Sequence, residues 1–418
     1  LYSQVWDYVE ARRGDMELQL RALGTSCSWE HSVFSLDKKV VTTVYDTFKQ
    51  MWDDDLIYRG KRIVNYCTTH QTSFADIEVE HREEHSKLWQ IAYPLLDHVG
   101  EIVVATTRPE TLLGDTAIAV HPEDARYKNL IGSKVQVPLV EREIPIVADE
   151  AIDPTFGTGA VKVTPAHDPT DFEIGERHAL QRISVIGHDG LMTDQTPTGF
   201  HGLTALDARK KILIQLESHE LMRGETDYAH QVGHCYKCGT VIQPLLMDQW
   251  FIRVKPLADK AIEAIQSDTI AFHPVSKGTE LTTYLGQLRD WNISRQLIWG
   301  IPIPAFQNID DPEDWIFDTR VDQPEIEIDG KKYRREEDTF DTWFSSGQWP
   351  FIVTDALTDG DLARFYPSAY METGRDLLKQ WVARMIMLGL YRTGDVPFKT
   401  VYMHGMVHDE KNQKMRKS

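Results

Sequence analysis

Two short cysteine motifs, separated by 164 residues (235 − 70 − 1), constrain this chain more than anything else in it. NYCTTHQTSFAD holds Cys67-x-x-His70, and GHCYKCGTVIQ holds Cys235-x-x-Cys238. Each is one turn-forming half of a metal knuckle, and three thiolates with one imidazole complete a tetrahedral zinc set. The set leaves no open position, so the expected role is structural. His234, beside Cys235, is a competing ligand, and Cys27 is left over as a small core residue. Metal ligands must meet, so the ends of the intervening chain must lie together. A segment with adjacent ends is an inserted domain, here about Glu80 to Val232. EIVVATT, AIAV, KVQVPLV, EIPIVAD and AVKVTPA are short β-branched runs between turns, so the insert is expected to be β-rich. DPTDFEIGERHAL then opens as a helix with an acidic first turn.

A chain of 418 residues has room for two or three domains, and 41% hydrophobic with 26% charged residues fits a globular protein. The apolar runs are too short to span a bilayer. Four cysteines without a secretory segment point to a reducing compartment, and the expected location is the cytoplasm. The net charge of −19 argues only against a uniformly basic nucleic-acid binder, because an acidic protein can keep a local basic patch. Such a patch closes the chain: four of the eleven residues of HDEKNQKMRKS are basic. FKTVYMHGMV before it reads as a buried strand with Val401, Met403 and Met406 as its apolar positions, and a strand feeding a lysine loop can present cations to phosphates. Prolines are scattered, with a loop-like cluster at IDDPEDWIFDTRVDQPEIEIDG. The chain opens at Leu1 in mid-pattern and reads as a piece of a longer protein.

Two stretches of the insert are chemically dense. ATTRPETLLGDTAIAV puts Thr106, Thr107, Arg108 and Thr111 around a proline turn. GTGAVKVTPAHDPTDFEIG runs from a glycine turn through a strand with Lys162 to His167, Asp168 and Asp171. Asp168 and Asp171, three apart at a helix start, can point to one place. Hydroxyls, a cation and two carboxylates suit a small, polar, amine-bearing ligand.

Several long motifs resemble the class I aminoacyl-tRNA synthetases of the valine/isoleucine/leucine group, the valine branch above all. DLIYRGKRIVNYC resembles the approach to the zinc knuckle, and TTRPETLLGDTAIAVHPED and GTGAVKVTPAHDPTDFEIG resemble two elements of the editing domain. DWNISRQLIWGIPIP, DTFDTWFSSGQWPF, METGRDLL and WVARMIMLGLYRTGDVPFKTVYMHGMV resemble pieces of the catalytic core. The resemblance implies an α/β fold: a partial class I Rossmann-type core with an inserted β-rich editing domain and a zinc knuckle. Residues 1–79 would be core with the first zinc half-site, 80–232 the editing domain, and 233–418 the second half-site and the rest of the nucleotide-binding core.

The family's chemistry maps onto this sequence residue by residue. Lys414 and Lys417 of KMRKS match lysines that hold ATP phosphates, with Arg416 where the family has Ser. Gly374 and Asp376 match the ribose-binding Gly-x-Asp, and His404 and Gly405 match the strand end against adenine. Trp291 and Trp343 match walls of the aliphatic amino-acid pocket. Asp171 matches the carboxylate that takes the α-amino group of a mischarged amino acid. Arg108, Thr111, Lys162 and Asp168 match its neighbours, and Thr106 and Thr107 match the wall near the terminal adenosine. The implied partners are valine, ATP with Mg2+, and tRNA(Val); the implied metal is Zn2+ at Cys67, His70, Cys235 and Cys238; the implied state is a monomer. The family's His-x-Gly-His tetrad does not occur in these 418 residues. The alternatives are the isoleucine branch and a self-standing editing hydrolase or tRNA-binding module. DTWFSSGQWPF and the HDPTD form lean to the valine branch. The Gly-x-Asp element, the lysine loop and both tryptophans have no use in a pure hydrolase.

Overall fold

The structure, a computed structural model, describes residues 1–358, 360, 362–410 and 415. The chain divides into two compact units, Leu1–Arg59 with Trp250–Ser418, and Gly60–Gln249. The second is wider than the expected insert by 20 residues at one end (80 − 60) and 17 at the other (249 − 232). The extra residues carry both metal half-sites.

In Gly60–Gln249, the strand Val79–Pro94 pairs antiparallel with Met222–Cys235, from Val79 opposite Cys235 to Ile91 opposite Met222. Glu80 faces His234 and Arg82 faces Val232, so the ends of the expected insert lie side by side. Glu101–Thr106 adds a third strand, with Ile102, Val104 and Thr106 turned inward as the two-residue period requires. A second sheet runs Lys134–Gln136, Glu143–Ala148, Ala117–Val120, Ala160–Val163. Its Ala117–Val120 strand is buried at every residue, which is why AIAV carries no polar alternation. Ile102, Leu112, Leu113, Ile118, Ile144, Ile212 and Leu216 share one core. The helix Pro169–Arg177 starts as its sequence predicts, with Pro169 in the first turn and Asp168 as cap.

In the other unit, the helix Lys38–Asp53 buries Val40, Val44, Phe48 and Met51, a stripe spaced by three and four. A parallel sheet places Phe398–His404 between Ala271–His273 and Ser368–Gly374. Val401 and Met403 are buried as expected, while the strand stops at His404 and Met406 lies beyond it, half-buried. The helix Ala383–Thr393 packs on Lys255–Gln266 and ends at Gly394, whose φ of 75° is the left-handed cap that glycine supplies.

Two expectations are corrected. The proline cluster is not all loop: Trp315–Phe317 and Glu325–Ile328 belong to a four-stranded antiparallel sheet with Ala305–Asn308 and Lys331–Arg335. Asp329 and Gly330, with φ of 50° and 77°, make the two-residue hairpin turn that joins two of those strands. Cys27 is exposed rather than core. Among the described residues, no helix is long and apolar enough to cross a membrane.

Candidate metal centre and binding sites

Two strand ends deliver the metal ligands. Ile57–Cys67 finishes on Cys67 and Met222–Cys235 on Cys235, and each then turns back so that His70 and Cys238 close the set. The ligand atoms of Cys67, His70, Cys235 and Cys238 all lie within 4.8 Å of one another. Cys67 Sγ is 3.7 Å from Cys238 Sγ and 3.4 Å from His70 Nδ1, and Cys235 Sγ is 3.5 Å from that nitrogen. A zinc tetrahedron with bonds of about 2.3 Å to sulfur and 2.0–2.1 Å to nitrogen has edges of about 3.8 and 3.6 Å. The cluster therefore has the size of a zinc site. His234 does not compete for it, since its Nδ1 bonds Gly239 O at 2.9 Å and its Nε2 bonds Glu84 at 2.9 Å.

The polar residues of the insert form a buried network. Lys162 Nζ donates to Thr111 Oγ1 (2.7 Å), Thr164 Oγ1 (2.7 Å) and Asp115 Oδ1 (3.0 Å). Thr111 Oγ1 donates to Arg108 O at 3.0 Å. Arg108 is anchored in turn, donating to His167 O at 2.9 Å and Gln243 Oε1 at 2.8 Å, with Glu110 at 3.3 Å. Burial raises the Glu110 carboxyl, but Arg209, bonded through two nitrogens, and Arg108 outweigh it and hold the group below the ordinary carboxylate range. Arg108 N donates to Thr106 Oγ1 at 3.0 Å, and Thr107 beside it is half-buried.

The two aspartates stay adjacent at the helix start but take different partners. Asp168 spends Oδ1 on the helix start, accepting from Thr170 N and Asp171 N. Asp171 is buried, accepts from Thr164 N at 2.8 Å, and has its pKa pushed up to about 8 by desolvation and then by the charge of Asp168. His167 is a strut: burial lowers its pKa to about 3, Nδ1–H donates to Pro244 O at 3.3 Å, and Nε2 accepts from Val185 N at 2.8 Å. Asp115, Tyr93, Thr164, Glu110 and Arg209 were not among the expected site residues. A charged residue inside an apolar run, as in LLGDTAIAV, was the available signal for Asp115.

A cleft of about 580 Å3 lies elsewhere in this unit, lined by Tyr66, Gln71, His188, Asp189, Thr193 and His201 among others. Its lining includes none of the expected site residues.

In the other unit, Gly374 pairs with His404 at the common carboxyl end of two parallel strands, where open α/β sheets bind ligands. A Cβ on Gly374 would fall 2.9 Å from both Asp376 Oδ1 and Met406 Sδ, so only glycine lets these groups approach. Asp376, His404 and Gly405 are exposed there. His404 Nδ1–H donates to Gly405 O at 2.7 Å. The chain leaves Asp376 through a π turn, Leu378–Val382, before the helix Ala383–Thr393. Trp291 is 6% exposed, with Arg384 at 4.5 Å over its ring. One buried carboxylate holds both expected pocket tryptophans: Asp341 Oδ2 accepts from Trp291 Nε1 at 2.8 Å, and Oδ1 from Trp343 N at 3.1 Å. Lys414, Arg416 and Lys417 lie outside the described residues.

The sequence profile of the tRNA synthetases class I (I, L, M and V) matches residues 1–418. A curated valine–tRNA ligase of Thermotoga maritima is 45% identical over 414 residues, covering 99% of this chain and 48% of that protein. The valine–tRNA ligase of Petrotoga mobilis is 44% identical over 416 residues, covering 99% and 47%. A solved LeuRS–tRNA–LeuAMS complex of Agrobacterium radiobacter K84 is 17% identical at a TM-score of 0.46, covering 98% of this chain and 57% of that one. The chain spans about half the length of the curated relatives it matches.

Proposed function

This chain belongs to the class I tRNA synthetases (I, L, M and V), and we propose that it is the central part of a valine–tRNA ligase. That enzyme joins valine to tRNA(Val) through valyl-adenylate and hydrolyses threonyl-tRNA(Val) made in error. The observation that carries the reading is the 45% identity to a protein of that name across 99% of this chain.

The division of labour follows the two units. At the strand-end crevice Gly374, Asp376, His404 and Gly405 take the adenosine of ATP. Lys414 and Lys417 meet its Mg2+-bound phosphates, as cations suited to a developing negative charge. Trp291 and Trp343, held by Asp341, wall a pocket for a branched aliphatic side chain.

An aliphatic pocket rejects an isostere bearing a hydroxyl only about 10²-fold, a figure already established for valine–tRNA ligases facing threonine. A second, polar site is therefore needed. Thr106, Thr107, Arg108, Thr111, Lys162, Asp168 and Asp171 form it, with Asp171 receiving the α-ammonium and Asp168 fixing the helix that carries it. Cys67, His70, Cys235 and Cys238 hold a structural Zn2+ that ties the ends of this unit together. The protein works in the cytoplasm, as a monomer.

A chimera tests the assignment. With this chain in place of the corresponding segment of the Thermotoga maritima protein, it should charge tRNA(Val) with valine and clear threonyl-tRNA(Val). A folded chimera that charges tRNA with isoleucine instead would overturn the valine assignment.

A further inference from the structure

The helix Ala383–Thr393 buries every residue from Ala383 to Gly389, and one of them, Arg384, is a cation. It is 5% exposed. Among the described residues it has no carboxylate partner, and its Nε has no hydrogen-bond partner. A buried charge without a counter-ion is costly, so packing alone does not account for an arginine where a methionine would fill the space. Its contacts do. Nη1 donates to Lys379 O at 3.1 Å and to Gln380 O at 2.8 Å, two carbonyls of the π turn Leu378–Val382. The guanidinium carbon stands 4.5 Å over the ring of Trp291, within reach of the attraction between a cation and an aromatic face.

That ring is fixed at its edge as well, since Asp341 accepts from its Nε1 and pairs with the buried Arg295 at 3.1 Å. The π turn also reaches the second pocket tryptophan. Trp381 Nε1 donates to Ser346 O at 2.9 Å, at the end of the short helix Thr342–Ser346 that carries Trp343. Just past that helix, a Cβ on Gly347 would fall 2.8 Å from Leu388 Cδ1 and 3.1 Å from Arg384 Cβ, so glycine lets the two elements close on each other. On its other side the turn begins just after Asp376. One π turn thus joins the expected ribose ligand to both expected walls of the amino-acid pocket, and such turns recur at functional sites. We propose that Arg384 is a positioning residue that couples the two halves of the site: by clamping the π turn to Trp291, it makes the placement of Asp376 depend on what fills the pocket. Valine packed against Trp291 then steadies the ribose contact, and a nucleotide at Asp376 steadies the pocket by the same factor, as linkage requires. This rests on the reading of the crevice as the nucleotide site and of the tryptophans as pocket walls.

The test uses the chimera described above, which contains the full chain. Calorimetry measures the binding of valine and of a non-hydrolysable ATP analogue, each with and without the other. The unsubstituted chimera should bind valine about 5-fold tighter or more once the analogue is saturating, the scale of a modest coupling. Arg384→Met, which fills the space without charge or donors, should bring that ratio close to one, whatever it does to each ligand alone. A purely structural role would weaken both ligands and leave the ratio in place. Arg384→Lys keeps a cation for the ring and should recover part of the ratio; a lysine variant no better than methionine would overturn the ring contact as the link. Arg384→Gln keeps a donor for the two carbonyls without the charge, should also lose the ratio, and covers the case in which Arg384→Met fails to fold. If folded variants keep the ratio, or the unsubstituted chimera shows none while binding both ligands, the inference fails and the reading of the site stands. A chimera that binds neither valine nor the analogue overturns that reading, and the inference with it.

Discussion

The polar cluster around Lys162 and the strand-end crevice around Gly374 hold their charged groups in opposite ways. In the first, every donor of Lys162 is paired inside the protein, and Asp115, Thr164 and Tyr93 are nearly or fully buried. In the second, Asp376, His404 and Gly405 are exposed on a rim cut to size by a glycine. A site that must tell a hydroxyl from a methyl needs rigid, desolvated partners, because only a buried unpaired group carries a large penalty. A site that binds a polyphosphate and releases its products can leave its groups in water. The contrast yields a ranking of effects.

The largest effect should come from the Cys67, His70, Cys235 and Cys238 cluster, on which two strand ends of the Gly60–Gln249 unit converge. Structural zinc in small peptides contributes about 10–16 kcal/mol to folding, and even part of that exceeds any single side chain here. Elemental analysis of the purified chain should find about one zinc, and Cys235→Ser or chelation should lower the melting temperature sharply. A folded, metal-free chain that melts like the Cys235→Ser variant would rule the metal centre out.

Next is the ion pair. Lys162→Met strips Asp115, 3.0 Å away and fully buried, of its counter-charge. Leaving one partner of a buried pair alone typically costs about 3–5 kcal/mol. Urea denaturation should show a loss of that order, and most of it should return when Asp115→Leu is added. A loss under about 1 kcal/mol would mean that water reaches the cluster.

Asp171 comes third. Its alanine variant should clear threonyl-tRNA(Val) about 10- to 150-fold more slowly, the range of one charged hydrogen bond of about 1.5–3 kcal/mol. A folded Asp171→Ala protein as fast as wild type would detach this pocket from the reaction. The carboxyl also marks stability. Its pKa is raised to about 8 in the folded chain, against about 3.9 when unfolded. Below about pH 4 both states are protonated and the full stability is present. Between about 4 and 8 the unfolded chain ionises and the folded one does not, so stability falls by up to about 1.4 kcal/mol per pH unit and levels above 8. Against an Asp171→Asn reference, which does not titrate, the wild type should lose a few kcal/mol over that window. A flat difference would place Asp171 in contact with water.

Much of the Gly60–Gln249 unit was legible because its signals are local. β-branched runs mark its strands, Asp168 followed by Pro169 marks the helix start, and the two cysteine motifs mark both the four-ligand cluster and the adjacency of their flanks. Asp115 carried only the faint signal of a charge in an apolar run, for the opposite reason. Its partner Lys162 is 47 residues away, and only the register of Ala117–Val120 against Ala160–Val163 brings them together. On its own, Gly114-Asp115 looks like a turn. The same limit hid the strands Trp315–Phe317 and Glu325–Ile328, whose neighbouring prolines and acids read as loop until a sheet paired them. Cys27 was assigned to the core on residue type alone, and type says nothing about which face of the chain a side chain occupies.

The smallest effect should come from the pair at the crevice that most resembles Lys162 and Asp115 on paper. His404 Nε2 lies 3.7 Å from Glu372, with side chains 46% and 62% exposed. Such pairs contribute about 0–1 kcal/mol, because water screens the attraction and two side chains lose freedom to make it. Glu372→Gln should therefore change stability by less than about 0.5 kcal/mol at moderate salt. The change should shrink further on going from 0.01 to 1 M salt, as the Debye length falls from about 30 to about 3 Å. Lys162→Met, measured in the same series, should keep nearly all of its cost across that range, since no counter-ion reaches a buried pair. If Glu372→Gln instead cost about 2 kcal/mol independently of salt, the rim would be desolvated, and the division between a closed cluster around Lys162 and an open crevice at Gly374 would fail.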